Sequence, residues 1–430
     1  MKISAYFILF LFVSYMANAQ SESEYNYDES KVPEFQVPDP LTTFDGEKIS
    51  NSSEWFDKHR PELHRFFEEQ VYGKVPAKLD GLNFKLLEES EEALNGNAKR
   101  KQIQIIATKR NRSLSFNMLL YLPKGKSNVP VFLGHNFLGN HTVNEDPDIL
   151  MTTAWVMNNE GLGISDHRSK ETSRGARASR WALDKIIAGG FGLATIYYGE
   201  LDPDKYGKGQ PDQGDFTDGI HSLFLEEDQM GPAPNEWGGI AAWAWGLSRA
   251  LDYLATDADV DETKVIAFGH SRLGKAALWA GASDQRFAAV ISNESGCGGA
   301  ALSKRKFGET VGRINSVFPH WFCDNFNQYN GNEDALPVDQ HQLLALIAPR
   351  PLYVASAQED EWADPRGEFL SAHYTSLVYG LFGKEGISSN KMPAVDQPIQ
   401  NTVAYHIRTG KHDVTDYDWE QYIKWAKKQL

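Results

Sequence analysis

The segment Gly269-His270-Ser271-Arg272-Leu273-Gly274 follows the apolar run Lys264-Val265-Ile266-Ala267-Phe268 and opens a helix-forming stretch, Ser271–Ala280. A serine at such a strand-to-helix corner is held above the sheet edge with its hydroxyl exposed, as a nucleophile requires. Gly269 leaves room for the other arm of the turn. A helix starting at Ser271 aims free N–H groups and the positive end of its dipole at a reacting atom, so the Arg272 N–H is a natural oxyanion donor. Leu273 breaks the usual G-x-S-x-G spacing, and the second glycine is displaced to Gly274. An ordinary turn with a solvent-facing serine is the plainer alternative.

A serine hydroxyl needs a base, and the base needs an orienting acid. When the serine sits on this kind of corner, the acid and then the histidine follow it in chain order. His412, in the loop Thr409-Gly410-Lys411-His412-Asp413 after the last expected strand, fills the place of the base. Two carboxylates compete for the acid. Glu294 follows the expected strand Ala288–Ser292, and Asp360 follows Arg350–Ser356. From the residues alone both stay open, and both are placed to contact the imidazole. Glu359, Glu361 and Asp364 read as solvated neighbours. His135 and His141 flank a loop that either supplies the second oxyanion side or is plain polar surface.

These groups need a scaffold, and the hydrophobic pattern supplies one. Residues 49–75 carry Trp55, Phe56, Leu63, Phe66, Phe67 and Val71 at helical spacing. Short apolar strands are expected at 102–107, 115–122, 130–135, 191–198, 264–269, 288–292, 350–356 and 403–408. Helices are expected at 176–188, at 236–254 with Asn235 as its cap, and at 271–280. Trp237, Trp243 and Trp245 read as core. Strands apolar throughout and alternating with helices imply an α/β fold: a mostly parallel sheet covered on both faces, with chemistry beyond the strand C-termini.

Composition narrows the function further. The chain has 430 residues, 41% of them hydrophobic, which is enough for a large core. With 43 basic against 58 acidic residues the net charge is −15, and no basic footprint for a nucleic-acid backbone appears. Two cysteines exclude a disulfide scaffold and a Cys-rich metal site. No convincing metal-ligand spacing or phosphate-binding loop is present, so neither metal nor cofactor is expected. Cys297 and Cys323 could form one disulfide, pinning the loop after Glu294 to His320-Trp321-Phe322. Lys2, the apolar run Ile3–Val13 and Ala17-Asn18-Ala19 read as a signal peptide over residues 1–19. The mature chain is then secreted or periplasmic, without a stable membrane span. An acidic, serine-rich lead over 20–40 is expected to be flexible, and 41–430 to form a single catalytic domain.

The run from Gly269 to Trp279, with Glu294-Ser295-Gly296 and Glu359-Asp360-Glu361-Trp362-Ala363-Asp364-Pro365, resembles the glucuronoyl esterases of carbohydrate esterase family 15. The likeness spans roughly residues 100–420, and that family carries the displaced glycine. It implies an α/β-hydrolase fold and a secreted, metal-free serine esterase acting on esters between 4-O-methyl-glucuronic acid of glucuronoxylan and lignin alcohols. By this likeness Ser271 is the nucleophile, His412 the base, Glu294 the principal acid with Asp360 in support, and Arg272 the oxyanion stabiliser. Lys275, Glu309 and Trp362 resemble the sugar-binding set. Lys275 is one helical turn beyond Ser271, on the same face. A monomer is expected, with lignin–carbohydrate esters as its partners. The rival readings are an acetyl xylan esterase and a non-catalytic glycan-binding relative.

Overall fold

The computed structural model describes residues 25–206 and 214–430. The export signal expected at 1–19 lies outside the described residues. Three strands, β1 (Gly81–Glu92), β2 (Ala98–Lys109) and β3 (Arg112–Pro123), form an antiparallel meander. Six more follow: β4 (Val129–Asn136), β5 (Gly192–Tyr197), β6 (Val260–His270), β7 (Ala289–Asn293), β8 (Leu352–Ala357) and β9 (Val403–Arg408). Neighbours among these six pair in parallel. The order across the sheet is β1-β2-β3-β5-β4-β6-β7-β8-β9.

Alternate residues of the central strands serve two cores, as a period of two demands. Val131, Leu133, Val265, Ala267, Val290 and Val354 pack with the helices Gly239–Leu254, Arg272–Ser283 and Pro365–Gly380. Phe132, Ile266, Phe268, Ile291 and Tyr353 turn the other way. They meet Leu183–Ala188 and the Trp419, Tyr422 and Trp425 face of Asp416–Gln429. The result is the expected three-layer arrangement. No helix among the described residues is long and apolar enough to cross a membrane.

Four local expectations are corrected. β1 has no sequence signal strong enough to find it: Leu82, Phe84 and Leu86 alternate, but acidic residues crowd its second half and Leu86 is half exposed. Such a composition suits an edge strand. The long helix starts at Gly239, and Asn235 does not cap it. Instead the Asn235 carbonyl accepts from Lys74 N, while the carbonyls of His320 and Trp321 accept from the first helical N–H groups, Gly239 and Ile240. In the stretch 176–188, only Leu183–Ala188 is α-helical. The lead is anchored over 25–40: Glu29 pairs with Arg305 at 2.6 Å, Asn26 O accepts from Gly308 N, and Tyr25 meets Trp362 edge-on at 5.1 Å. Buried Arg305 needs carboxylate partners, and Glu29 supplies one of them.

Candidate active site

Ser271 sits between β6 and the helix Arg272–Ser283 with φ 57° and ψ −131°, a strained conformation for a residue with a side chain. Two glycines make the corner possible. A Cβ on Gly269 would lie 1.9 Å from Leu273 O, and one on Gly274 would lie 2.9 Å from Ser295 Cβ. The displaced glycine thus lets the first helical turn press against the loop after β7. Ser271 N donates to Asn293 O at 2.9 Å, tying the corner to that same strand end.

His412 extends from the loop after β9. Its Nδ1 donates to Asp360 Oδ2 at 2.6 Å, and Glu294 Oε2 lies 3.1 Å from the same nitrogen. Both carboxylates therefore reach the imidazole, but in the reverse of the expected rank. Glu294 is held elsewhere: Oε1 accepts from Arg408 Nη2 at 2.6 Å and Oε2 from Asp413 N at 3.0 Å. Arg408 also donates to Lys411 O, Asp413 O and Asp418, so Glu294 and Arg408 together shape the loop that presents His412. Burial alone would push the imidazolium down, yet Asp360 and Glu294 outweigh it and raise His412 to about 9. Burial raises Glu294 to about 7 against the pull of His412 and Arg408. His270 lies beneath, with ring centroids 4.4 Å apart, and is held neutral by burial and by the His412 charge. His270, Glu294 and His412 place ligand-type atoms within 4.8 Å of one another, but His270 Nδ1 is engaged by Asn293, and the Glu294 oxygens as described.

A cleft of about 340 Å³ opens onto these groups and is also lined by Arg272, Lys275, Glu309, Phe318, Trp321 and Trp362. All eight expected site residues therefore share one cavity. The Arg272 guanidinium stands over Trp321 at 4.8 Å and Tyr206 at 5.1 Å, and its Nη1 pairs with buried Asp204. Asp204 Oδ1 accepts from His320 Nε2 and Trp321 Nε1, each at 2.8 Å. Burial works against the Asp204 carboxylate, but Arg272 and His320 prevail and hold it at about 2. Lys275 Nζ donates to Ser295 O at 2.5 Å. Burial lowers its pKa while Glu309 opposes the shift, and burial raises Glu309 while Lys275 and Arg272 oppose it. The arrangement is a nucleophile corner, a carboxylate-held imidazole, and two desolvated cations facing one acid. It fits acyl transfer from a polar, oxygen-rich substrate.

A family model described as glucuronyl esterase, fungi, matches residues 217–383. A carbohydrate esterase from an unknown prokaryotic organism is 49% identical over 405 residues, covering 94% of this chain and 91% of its own. This chain belongs to the glucuronoyl esterases of carbohydrate esterase family 15. The solved structure of a promiscuous family 15 esterase from a marine bacterial metagenome shares 49% identity at a TM-score of 0.87, covering 94% of this chain and all of its own (100%). A glucuronoyl esterase from Solibacter usitatus shares 47% at 0.86, covering 93% and 100%. The Hypocrea jecorina catalytic domain, at 21% identity, TM-score 0.60 and coverages of 92% and 89%, shares the fold alone. The fold is that of the α/β-hydrolases, and the chain is a carboxylic ester hydrolase.

In this glucuronoyl esterase several expectations at the site's margin need correction. Cys297 and Cys323 are free and buried. Cys323 Sγ turns to Glu69 O at 3.8 Å, and the Phe322 ring occupies the space against Gly298. Reductant is therefore expected to leave Tm unchanged, whereas loss of a bridge across that loop would cost about 3 kcal/mol. A reductant-dependent fall in Tm would restore the bridge. His135 and His141 stay out of the cleft, buried against Trp243 O and Ser173 Oγ, each at 2.8 Å. Asp364 is no solvated neighbour: it pairs with Arg305 at 2.8 Å and caps the helix Pro365–Gly380. Of the three tryptophans read as core, Trp237 and Trp243 are buried, and Trp245 is partly so. Asp204, His320 and Trp321, which hold Arg272, carried no sequence signal of that role.

Proposed function

We propose that this enzyme hydrolyses esters between (4-O-methyl-)glucuronic acid of glucuronoxylan and lignin-type alcohols, through an acyl-enzyme on Ser271. The observation that supports this most is a single cleft where half-buried Arg272 and Glu309 and buried Lys275 surround the serine corner. His412 takes the Ser271 proton as Oγ attacks the ester carbonyl, and Asp360 holds the resulting imidazolium. The oxygen becomes an anion beside the Arg272 N–H and guanidinium. The C–O bond to the alcohol then breaks, and His412 returns the proton to the leaving oxygen. Water, deprotonated by the same imidazole, releases the uronic acid. Lys275 and Glu309 offer a donor and an acceptor to sugar hydroxyls, and Trp362 an apolar face. The signal-like sequence at 1–19 supports an exported enzyme, and we take the working form as a monomer.

Comparing kcat/KM on benzyl glucuronate with that on 4-nitrophenyl acetate tests the reading. Strong preference for the uronate is expected; activity confined to the acetyl ester would favour the acetyl xylan esterase alternative. Only neutral imidazole can take the proton, so kcat/KM should rise with pH along a limb displaced above the ordinary histidine value. Glu294→Gln removes one of the two carboxylates that raise it. The limb should then move to lower pH, with a plateau loss of about tenfold. A limb that stays in place would dissociate Glu294 from the base. The same raised pKa makes the paired imidazolium a stabilising group below about 6.5, a contribution that fades as pH climbs through about 9.

A further inference from the structure

Two of the groups that line the cleft, Glu309 and Trp362, meet at one backbone joint. Glu309 N donates to Trp362 O at 3.1 Å. Gly308, at φ 61°, lies so close that a Cβ on it would stand 2.5 Å from that same carbonyl oxygen. Thr310 then caps the helix Val311–Val317, its hydroxyl accepting from Arg313 N at 3.3 Å. The lead packs against this joint, although it is remote in the chain. Asn26 O accepts from Gly308 N at 2.9 Å. The half-buried Tyr25 ring meets Trp362 edge-on at 5.1 Å, and the Arg313 guanidinium stands over the same ring at 5.4 Å. Tyr27 meets Phe307 edge-on at 6.2 Å, and Glu29 pairs with Arg305, which also holds Asp364. Residues 25–29 thus touch both segments that carry this part of the cleft wall.

We propose that the lead belongs to the substrate site, with Tyr25 as a positioning residue that sets the Trp362 ring and the Glu309 joint for the uronate. The inference deepens the function proposed above and rests on it. Tyr25 is not among the residues that line the cleft, so it acts through Trp362. An edge-to-face pair fixes the direction of both rings, and a guanidinium over the tyrosine holds that ring in turn. A tryptophan held in one orientation before the sugar arrives spares the ordering cost of binding. Asp360 stands two residues before Trp362, but it is held separately, by His412 Nδ1 at 2.6 Å and through its own N–H to Ala357 O at 3.2 Å. Loss of Tyr25 therefore falls on sugar binding and not on the proton relay.

The test compares wild type, Tyr25→Ala and Tyr25→Phe on benzyl glucuronate and on 4-nitrophenyl acetate, which has no sugar to place. In Tyr25→Ala the ratio of kcat/KM on the glucuronate to that on the acetate is expected to fall roughly three- to fivefold, through KM. Tyr25→Phe, which keeps the ring, should restore the wild-type ratio. An unchanged ratio in Tyr25→Ala overturns the assignment. An equal fall on both esters overturns it too, because the lead would then serve the relay or the fold and not the sugar. A fall in Tyr25→Phe as deep as that in Tyr25→Ala overturns the role of the ring. Amide hydrogen exchange over residues 305–310 and 361–364 is followed in the same proteins. Faster exchange there in Tyr25→Ala, restored in Tyr25→Phe, supports the positioning role even if wild type leaves benzyl glucuronate uncleaved, the outcome that would sink the proposed function alone. Unchanged exchange across the joint overturns the positioning role.

Discussion

Asp360→Asn is expected to lower kcat by roughly 10³-fold, far more than the change expected for Glu294→Gln. The reason lies at one nitrogen. His412 Nδ1 is 2.6 Å from Asp360 and 3.1 Å from Glu294, and only the former meets it as a well-aligned acceptor. An asparagine can turn its amide N–H toward Nδ1 and select the wrong tautomer, leaving Nε2 protonated and unable to receive the serine proton. Glu294 rescues this only in part, since its oxygens already serve Arg408 and Asp413 N. That rescue keeps the expected loss below the 10⁴-fold known for a triad with one acid. KM for benzyl glucuronate should change little, because the Asp360 carboxylate is engaged by His412 Nδ1. Should Glu294→Gln cost more than Asp360→Asn, the principal acid would be the one after β7.

The positions of Ser271 and His412, the two ends of the proposed proton relay, are legible in the sequence for the same physical reason. Ser271 stands in a six-residue corner whose glycines are forced by close contacts with Leu273 O and Ser295 Cβ, and His412 in a short loop whose place is set by the last strand. Such local constraints leave a local trace. The rank of the acids leaves none, because it depends on where Arg408 and the Asp413 N–H pull Glu294, two partners more than 110 residues away in the chain (408 − 294 = 114; 413 − 294 = 119). The holder of Arg272 is equally hidden: Asp204 lies in an irregular segment after β5 with no periodic signal. β1 is missed because an edge strand has one partner and one exposed rim, so acids are tolerated where the pattern expects alternation. The cysteine pair shows the opposite error. Spacing permits a bridge, but both thiols are free, with Cys323 Sγ turned to Glu69 O.

Arg272→Met should lower kcat on benzyl glucuronate by about 10²–10³-fold, the range for removing one oxyanion donor from a preorganised site. The guanidinium is fixed before substrate arrives by Asp204 on one side and by the Trp321, Tyr206, Phe318 and Phe137 rings on the others. No reorganisation is then needed as charge develops, so the loss should fall on kcat and not on KM. The same variant strands Asp204, a fully buried carboxylate left, among the described residues, with His320, Trp321 and Tyr198 as donors. Breaking a buried pair from one side costs about 3–5 kcal/mol, so Tm should fall as well. The two effects separate in a double variant. Arg272→Met with Asp204→Asn removes both charges and should recover much of the Tm while kcat stays low. Arg272→Lys, which keeps a charge but not the planar fork, should fall between wild type and Arg272→Met. Recovery of kcat together with Tm in the double variant would make Arg272 a structural cation, and would leave oxyanion stabilisation to the backbone N–H at the start of the helix.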